Sequence, residues 1–329
     1  MRAPFLLFTL LLSAASAAAQ TTLEVGPGKR FSRPSEAASA ARTGDRVVIS
    51  PGRYDDCSVW RADRLSIVAA PGGEVVVTGP ICAGKGLFVI SGRDVVVEGI
   101  TFQGAAFAGG NAAGISAEGG NLTIRRSAFL DNQNGILTKA DMREHRLVIE
   151  DSRFIGNGAL IHDCAHGLYA GHWREVVVRR SRFEATRICH HLKSRAERTV
   201  IEESAFLDTP GNRVSYLIDV PNGGDLVLRS STLRKGPDHG NPEAAVVHGA
   251  EGRRHATREL VLVGNRFDNL QPRGTVFFRL YGEGEPVLRD NVLAGPVTPF
   301  QRLPGRPRRR RQGSGHGRGR RCAEHCPPR

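Results

Sequence analysis

No window of this 329-residue chain holds a 3.6-residue apolar period for two turns, which argues against helical repeats. The leucine/asparagine spacing of leucine-rich repeats is missing too, and Val, Ile, Thr and Phe dominate instead. After the first nineteen residues no apolar run approaches the length that spans a bilayer, so membrane insertion is not expected. The chain has no phosphate-binding glycine loop, zinc-protease helix, serine triad or dinucleotide fingerprint. Its cysteine pairs lack zinc-type spacing. No Asp/Glu cluster announces calcium, although Asp141, Asp219 and Glu251 are the carboxylates that would hold one. No cofactor is therefore expected.

What is present is a repeat. Eight segments share a β-branched or aliphatic run closed seven positions later by a large apolar residue: Phe102, Phe129, Phe154, Phe183, Phe206, Leu233, Phe267 and Leu293. The closing residues stand 23 to 34 positions apart. Units this small cannot bury their own apolar face, so neighbours must stack as a solenoid. Within a unit, Leu122 and Ile124 alternate with Thr123 and Arg125, the period of a strand with one buried face. Two positions before each later closing residue stands Ser127, Ser152, Ser181, Ser204, Ser231, Asn265 or Asn291. Small polar residues at a fixed offset suit a recurring turn and can bond one another between coils. The pattern predicts an all-β chain, a right-handed parallel β-helix. Residues 34–42, with Pro34 in the first turn, read as a short helix capping its open N-terminal end.

Cys57 and Cys82, and again Cys164 and Cys189, are 25 residues apart. One coil of separation brings such residues onto strands about 4.8 Å apart, within disulfide reach; free buried thiols are the alternative. Residues 1–19 read as a signal peptide, with Arg2, an apolar core over residues 5–12, and Ala17 to Ala19 before the cut. The mature protein is thus expected in the periplasm or outside the cell, where disulfides persist. Residues 20–300 form one domain. Residues 301–329 form a disordered Arg/Gly/Pro-rich tail, either a basic arm or an unselected extension. The formal charge of +13 is concentrated there, since residues 302–329 hold ten Arg and one Glu. The body keeps 35 basic against 32 acidic residues, which argues against a nucleic-acid partner. A monomer is expected.

The opening Val25-Gly-Pro-Gly-Lys-Arg-Phe31, with residues 37–41 and 43–54, resembles the start of exported pectin-lyase-like β-helix proteins. Phe129-Leu-Asp-Asn132 and Phe154-Ile-Gly-Asn157 look like the generic repeat of that superfamily. The resemblance covers most of residues 23–298. It implies a long solvent-facing groove of the kind that often holds acidic polysaccharide, in a superfamily of pectate, alginate and chondroitin lyases, polygalacturonases, epimerases and non-enzymatic adhesins. Fold alone decides nothing further.

The unit after Cys189, His190-His-Leu-Lys-Ser-Arg-Ala-Glu197, departs from the bland repeat. Alternation turns Leu192, Ser194 and Ala196 inward and His191, Lys193 and Arg195 outward. The same count in neighbouring coils adds Lys139, Tyr169, Asp219, Glu251, Arg279 and Tyr281 to one surface strip, and Asn222 is a further expected substrate-binding residue. Cations beside an aromatic platform suit uronate sugars, with Arg gripping a carboxylate by two bonds and Lys acting as a point charge. Cleavage by β-elimination needs a neutralised carboxylate and a base. Lys193, its pKa lowered by His191 and Arg195, is the expected base, and Arg195 the group that stabilises the developing charge. Lyases of the resembled group also use a Lys and an Arg, but on different coils. A non-catalytic glycan binder and a structural solenoid with a merely solvated face are the alternatives. Hydrolysis would need a close carboxylate pair, for which only Asp219 and Glu251 are candidates.

Overall fold

Alternating apolar residues, a corner of small polar groups, and a return after some 25 residues leave the chain one way to bury its faces. The computed structural model describes residues 20–305, apart from residue 162. The expected signal peptide and nearly all of the tail lie outside the described residues. A representative coil has strands Leu122–Arg125, Ala128–Leu130 and Asn134–Thr138. Each pairs in parallel with its counterparts one coil before and after: Leu122 with Val95 and Leu147, Phe129 with Phe102 and Phe154, Ile136 with Ile115 and Leu168. The result is three long parallel sheets, here called I, II and III in coil order, of eleven, ten and ten strands. It is the right-handed parallel β-helix that the repeat predicts.

The closing residues line sheet II and fill the core. Phe102, Phe129, Phe154, Phe183 and Phe206 are fully buried and stacked, with ring centroids 4.3 to 5.2 Å apart. The small polar residues occupy the corner between sheets I and II as a ladder. The amide of Ser152 donates to Ser181 Oγ (3.1 Å), that of Ser181 to Ser204 Oγ (3.1 Å), and that of Ser231 to Asn265 Oδ1 (3.0 Å). The left-handed residue at this corner is the one before the ladder: Arg126, Asp151, Arg180, Glu203 and Ser230 all have positive φ. The hydroxyls and amides thus serve as hydrogen-bonding partners for buried N–H groups rather than as the turning residues.

Pro34–Ala40 is the capping helix, shorter than expected by two residues, with Ala37 buried against the first coil. Among the described residues the opposite end has no such plug. Its last strand, Val297–Leu303, continues sheet III past residue 300, and Val287 and Val292 on the terminal coil are 45 % and 57 % exposed. Both expected disulfides are present, Cys57–Cys82 and Cys164–Cys189, with Cα separations of 5.5 and 5.8 Å. Among the described residues no helix is long and apolar enough to cross a membrane.

Candidate functional site

The outer face of sheet III carries one side chain per coil in strict register. Tyr169 pairs with Lys193, Lys193 with Asp219, Asp219 with Val247, and Val247 with Arg279. Parallel in-register pairing therefore sets Lys193 between an aromatic ring and a carboxylate. Lys193 Nζ lies 3.1 Å from Asp219 Oδ2 and 2.6 Å from Glu251 Oε1. Arg195, just past the end of the strand Leu192–Ser194, reaches the other oxygen of that carboxylate, with Nη2 to Glu251 Oε2 at 2.6 Å. Its remaining edges donate to Tyr169 Oη (2.9 Å) and to Asn222 Oδ1, and its guanidinium lies 5.8 Å from the Tyr169 ring centre. Two cations thus clamp a single carboxylate between them.

Burial and charge oppose each other here. Burial pushes the Lys193 ammonium down, but Asp219 and Glu251 outweigh it and hold the group above its ordinary value. Lys193 is a held cation, the opposite of what the base role expected of it requires. Burial alone would raise Glu251, yet Lys193 and Arg195 bring it down to about 2. Asp219 goes the other way: burial raises it, Lys193 opposes, and Glu251 adds to the rise. Its Oδ2 faces Lys193, while Oδ1 is buried with no hydrogen-bond partner.

His191 is corrected by the structure. It points inward, fully buried, with Nδ1 2.7 Å from Thr186 Oγ1 and Nε2 2.9 Å from Asp208 Oδ1. The corner between sheets II and III turns two consecutive residues into the core, as Leu217–Ile218, Ala245–Val246 and Phe277–Phe278 also show. Counting by twos back from Leu192 therefore fails at that corner. The histidine on the outer face is His190, part of a ladder that alternation misses. His166 stacks on Tyr169 (5.5 Å), His190 on His166 (4.9 Å) and Tyr216 on His190 (5.4 Å). The amide of His190 donates to His166 Nδ1 (3.2 Å) and that of Tyr216 to His190 Nδ1 (3.0 Å), so each ring carries its proton on Nε2. Burial holds both imidazoles well below their usual pKa, hence neutral, and His190 Nε2 lies 3.5 Å from Asp219 Oδ2. The available sequence signal is an aromatic or His at a fixed offset, two places before Leu168, Leu192 and Ile218.

Of the other expected residues, Asn222 belongs to the cluster, holding Arg195 and donating to the Gly252 carbonyl (3.3 Å). Lys139 is exposed at the end of its strand, with the coil of Gly171 between it and Arg195. Arg279 lies beyond Val247 and pairs with Glu243 and Gln301. Tyr281 packs in an apolar cluster with Tyr216, Val247 and Ala250. The calcium trio is not assembled, because Asp141 faces Arg143 (3.2 Å) while an ammonium stands between Asp219 and Glu251. Among the described residues no group of three or more His, Cys, Asp or Glu side chains is placed to hold a metal.

No protein-family model matches this sequence, and no curated protein matches it either. Solved structures do. A Geobacillus virus E2 protein, ORF18, matches with a TM-score of 0.51 and 12 % identity over 82 % of this chain and 56 % of its own. Pectin methylesterases from Erwinia chrysanthemi and carrot match with TM-scores of 0.47 and 0.46. Their identities are 13 % and 11 %, over 84 % and 88 % of this chain and 93 % and 90 % of theirs. The likeness is one of fold. At such identity it transfers the β-helix and no chemistry.

Proposed function

We propose that this is an exported β-helix protein that binds a uronate polysaccharide along sheet III and cleaves it by β-elimination. One observation carries the reading: Lys193 and Arg195 grip the two oxygens of one carboxylate, each at 2.6 Å. That carboxylate belongs to Glu251, on a loop side chain 43 % exposed, and a sugar carboxylate has the same charge and geometry. Exchange of Glu251 for a uronate would neutralise the sugar carboxylate and make the C5 proton acidic. Asp219, beside Lys193 with a raised pKa and an Oδ1 that makes no hydrogen bond, is better suited than Lys193 to accept that proton once the departure of Glu251 uncovers the buried carboxylate. The C5–H electron pair then forms the C4–C5 double bond. The C4–O bond breaks, and the leaving oxygen takes a proton from water.

The test is ultraviolet absorbance of unsaturated uronate, with pectate, alginate, chondroitin and glucuronan as substrates. The expected result is a rise with the native protein that Asp219→Asn abolishes while polymer binding persists. Flat traces with retained binding would reduce the site to a glycan-binding one, and no binding to any uronate would end the reading.

A further inference from the structure

The interval from Leu233 to Phe267 is the widest in the repeat, and the excess residues form a loop between strands Ala244–His248 and Leu260–Val263. One end of that loop sends Glu251 onto sheet III. The other turns the corner toward sheet I, where a cleft of about 590 Å³ opens between Arg174, Glu197, Arg254, His255 and Arg258. Five arginines and three carboxylates line it. Arg146 and Arg198 are neutralised by Glu175, Glu259 and Asp225. Among the described residues Arg174, Arg254 and Arg258 have no carboxylate within ion-pair distance, and all three are exposed.

Arg254 makes its bond to a ring instead. Its Nη1 donates to His172 Nε2 at 2.9 Å, and since a guanidinium can only donate, that nitrogen accepts. The His172 proton is therefore on Nδ1, 3.1 Å from the Arg195 carbonyl, and His255 Nε2 lies 3.0 Å from the same oxygen. Burial, with Arg254 adding to it, keeps the His172 imidazole neutral. Among the described residues the cleft thus sets three arginines without an ion pair against one such carboxylate, Glu197, and it meets the clamp residue Arg195 at that backbone carbonyl.

We propose that this cleft is a second anion subsite, which takes a carboxylate or sulfate ester from a glycan whose neighbouring sugars lie at Lys193 and Arg195. The inference rests on the glycan-binding reading above and extends it around the corner of the solenoid. Arg174 and Arg258 supply the contacts, and Arg254 turns from His172 to the anion. Two subsites on neighbouring faces of one solenoid gain affinity jointly from a chain long enough to reach both.

Calorimetric titration of the full chain tests it, with a uronate disaccharide, a uronate hexasaccharide and a sulfated hexasaccharide as probes. The double variant Arg174→Ala/Arg258→Ala changes only exposed side chains. It should weaken the hexasaccharide about tenfold and leave the disaccharide unchanged. Equal hexasaccharide affinity in the native and double-variant proteins would overturn the proposal. If no uronate binds the native protein, the sheet III reading fails on its own, and the sulfated probe then decides the cleft. Binding lost in the double variant keeps the subsite, while binding that is unchanged, or absent from both, removes it.

Discussion

Glu251→Gln keeps the shape of the side chain and one carbonyl acceptor but removes the charge that Lys193 and Arg195 hold. If Glu251 stands where a sugar carboxylate binds, a neutral occupant is easier to displace. Uronate oligosaccharide affinity should then rise about three- to tenfold by titration. The same variant tests the acid limb of stability. The folded value of Glu251, about 2, lies below the ordinary 4.5, so the unfolded chain takes up this proton first as pH falls. Its contribution is whole above about pH 5 and is lost toward pH 2, and the Gln variant should flatten that part of the melting-temperature curve. An unaltered acid limb would remove the clamp from the account. Arg195→Lys should weaken binding about tenfold, because a single ammonium nitrogen cannot span the acceptors that the three guanidinium nitrogens reach separately at Tyr169, Asn222 and a carboxylate.

At the scale of the element, the corners matter as much as the strands. Ser181→Ala leaves the buried amide of Ser152 without its acceptor and should cost about 1–3 kcal/mol in denaturant unfolding, with no effect on glycan binding. The Cys164–Cys189 bridge joins the coils that carry His166 and His190, each within two residues of a bridged cysteine. A Cys164→Ser/Cys189→Ser variant should loosen that stack, seen as a shift of the His166 and His190 ring resonances, while the far Cys57–Cys82 end keeps its spectrum. The corners also mark where the sequence was readable. Lys193, Arg195 and Asp219 could be brought together by counting alternation along a strand and register across coils, since both rules hold there, whereas Glu251 reaches them from the loop after Ala244–His248. His191 and His190 exchanged faces because alternation does not survive a corner where two successive residues turn inward. The corner is set by backbone dihedrals, which an apolar/polar pattern does not record. Lys139, Arg279 and Tyr281 lay on the expected face but too many coils away, or too engaged with neighbours, to join the cluster.

For the whole molecule, the strands of each coil pair only with those of the coils beside it, while the loop of Glu251, Arg254 and His255 reaches back further, to Lys193, Arg195 and His172, so stability is close to a sum of nearest-neighbour contributions. One end is closed by the Pro34–Ala40 helix, whereas Val287 and Val292 stand open at the other. Amide exchange should therefore be graded, fastest on Val297–Leu303 and slowest on the Phe-stacked middle coils, and uniform protection along the axis would contradict that picture.

On heating, the described residues should come apart first where Val287 and Val292 are exposed. Unzipping that starts at the last strand reaches the loop of Glu251 before it reaches the coil of Lys193 and Arg195, which the Cys164–Cys189 staple ties to its predecessor. The internal counter-ion leaves while the two cations are still held in place. A chain frayed by a few coils should consequently hold a uronate disaccharide at Lys193 and Arg195 more tightly than the intact one, while a longer polymer loses Arg254 and Arg258 with the same loop, so warming short of the melting point favours the short ligand.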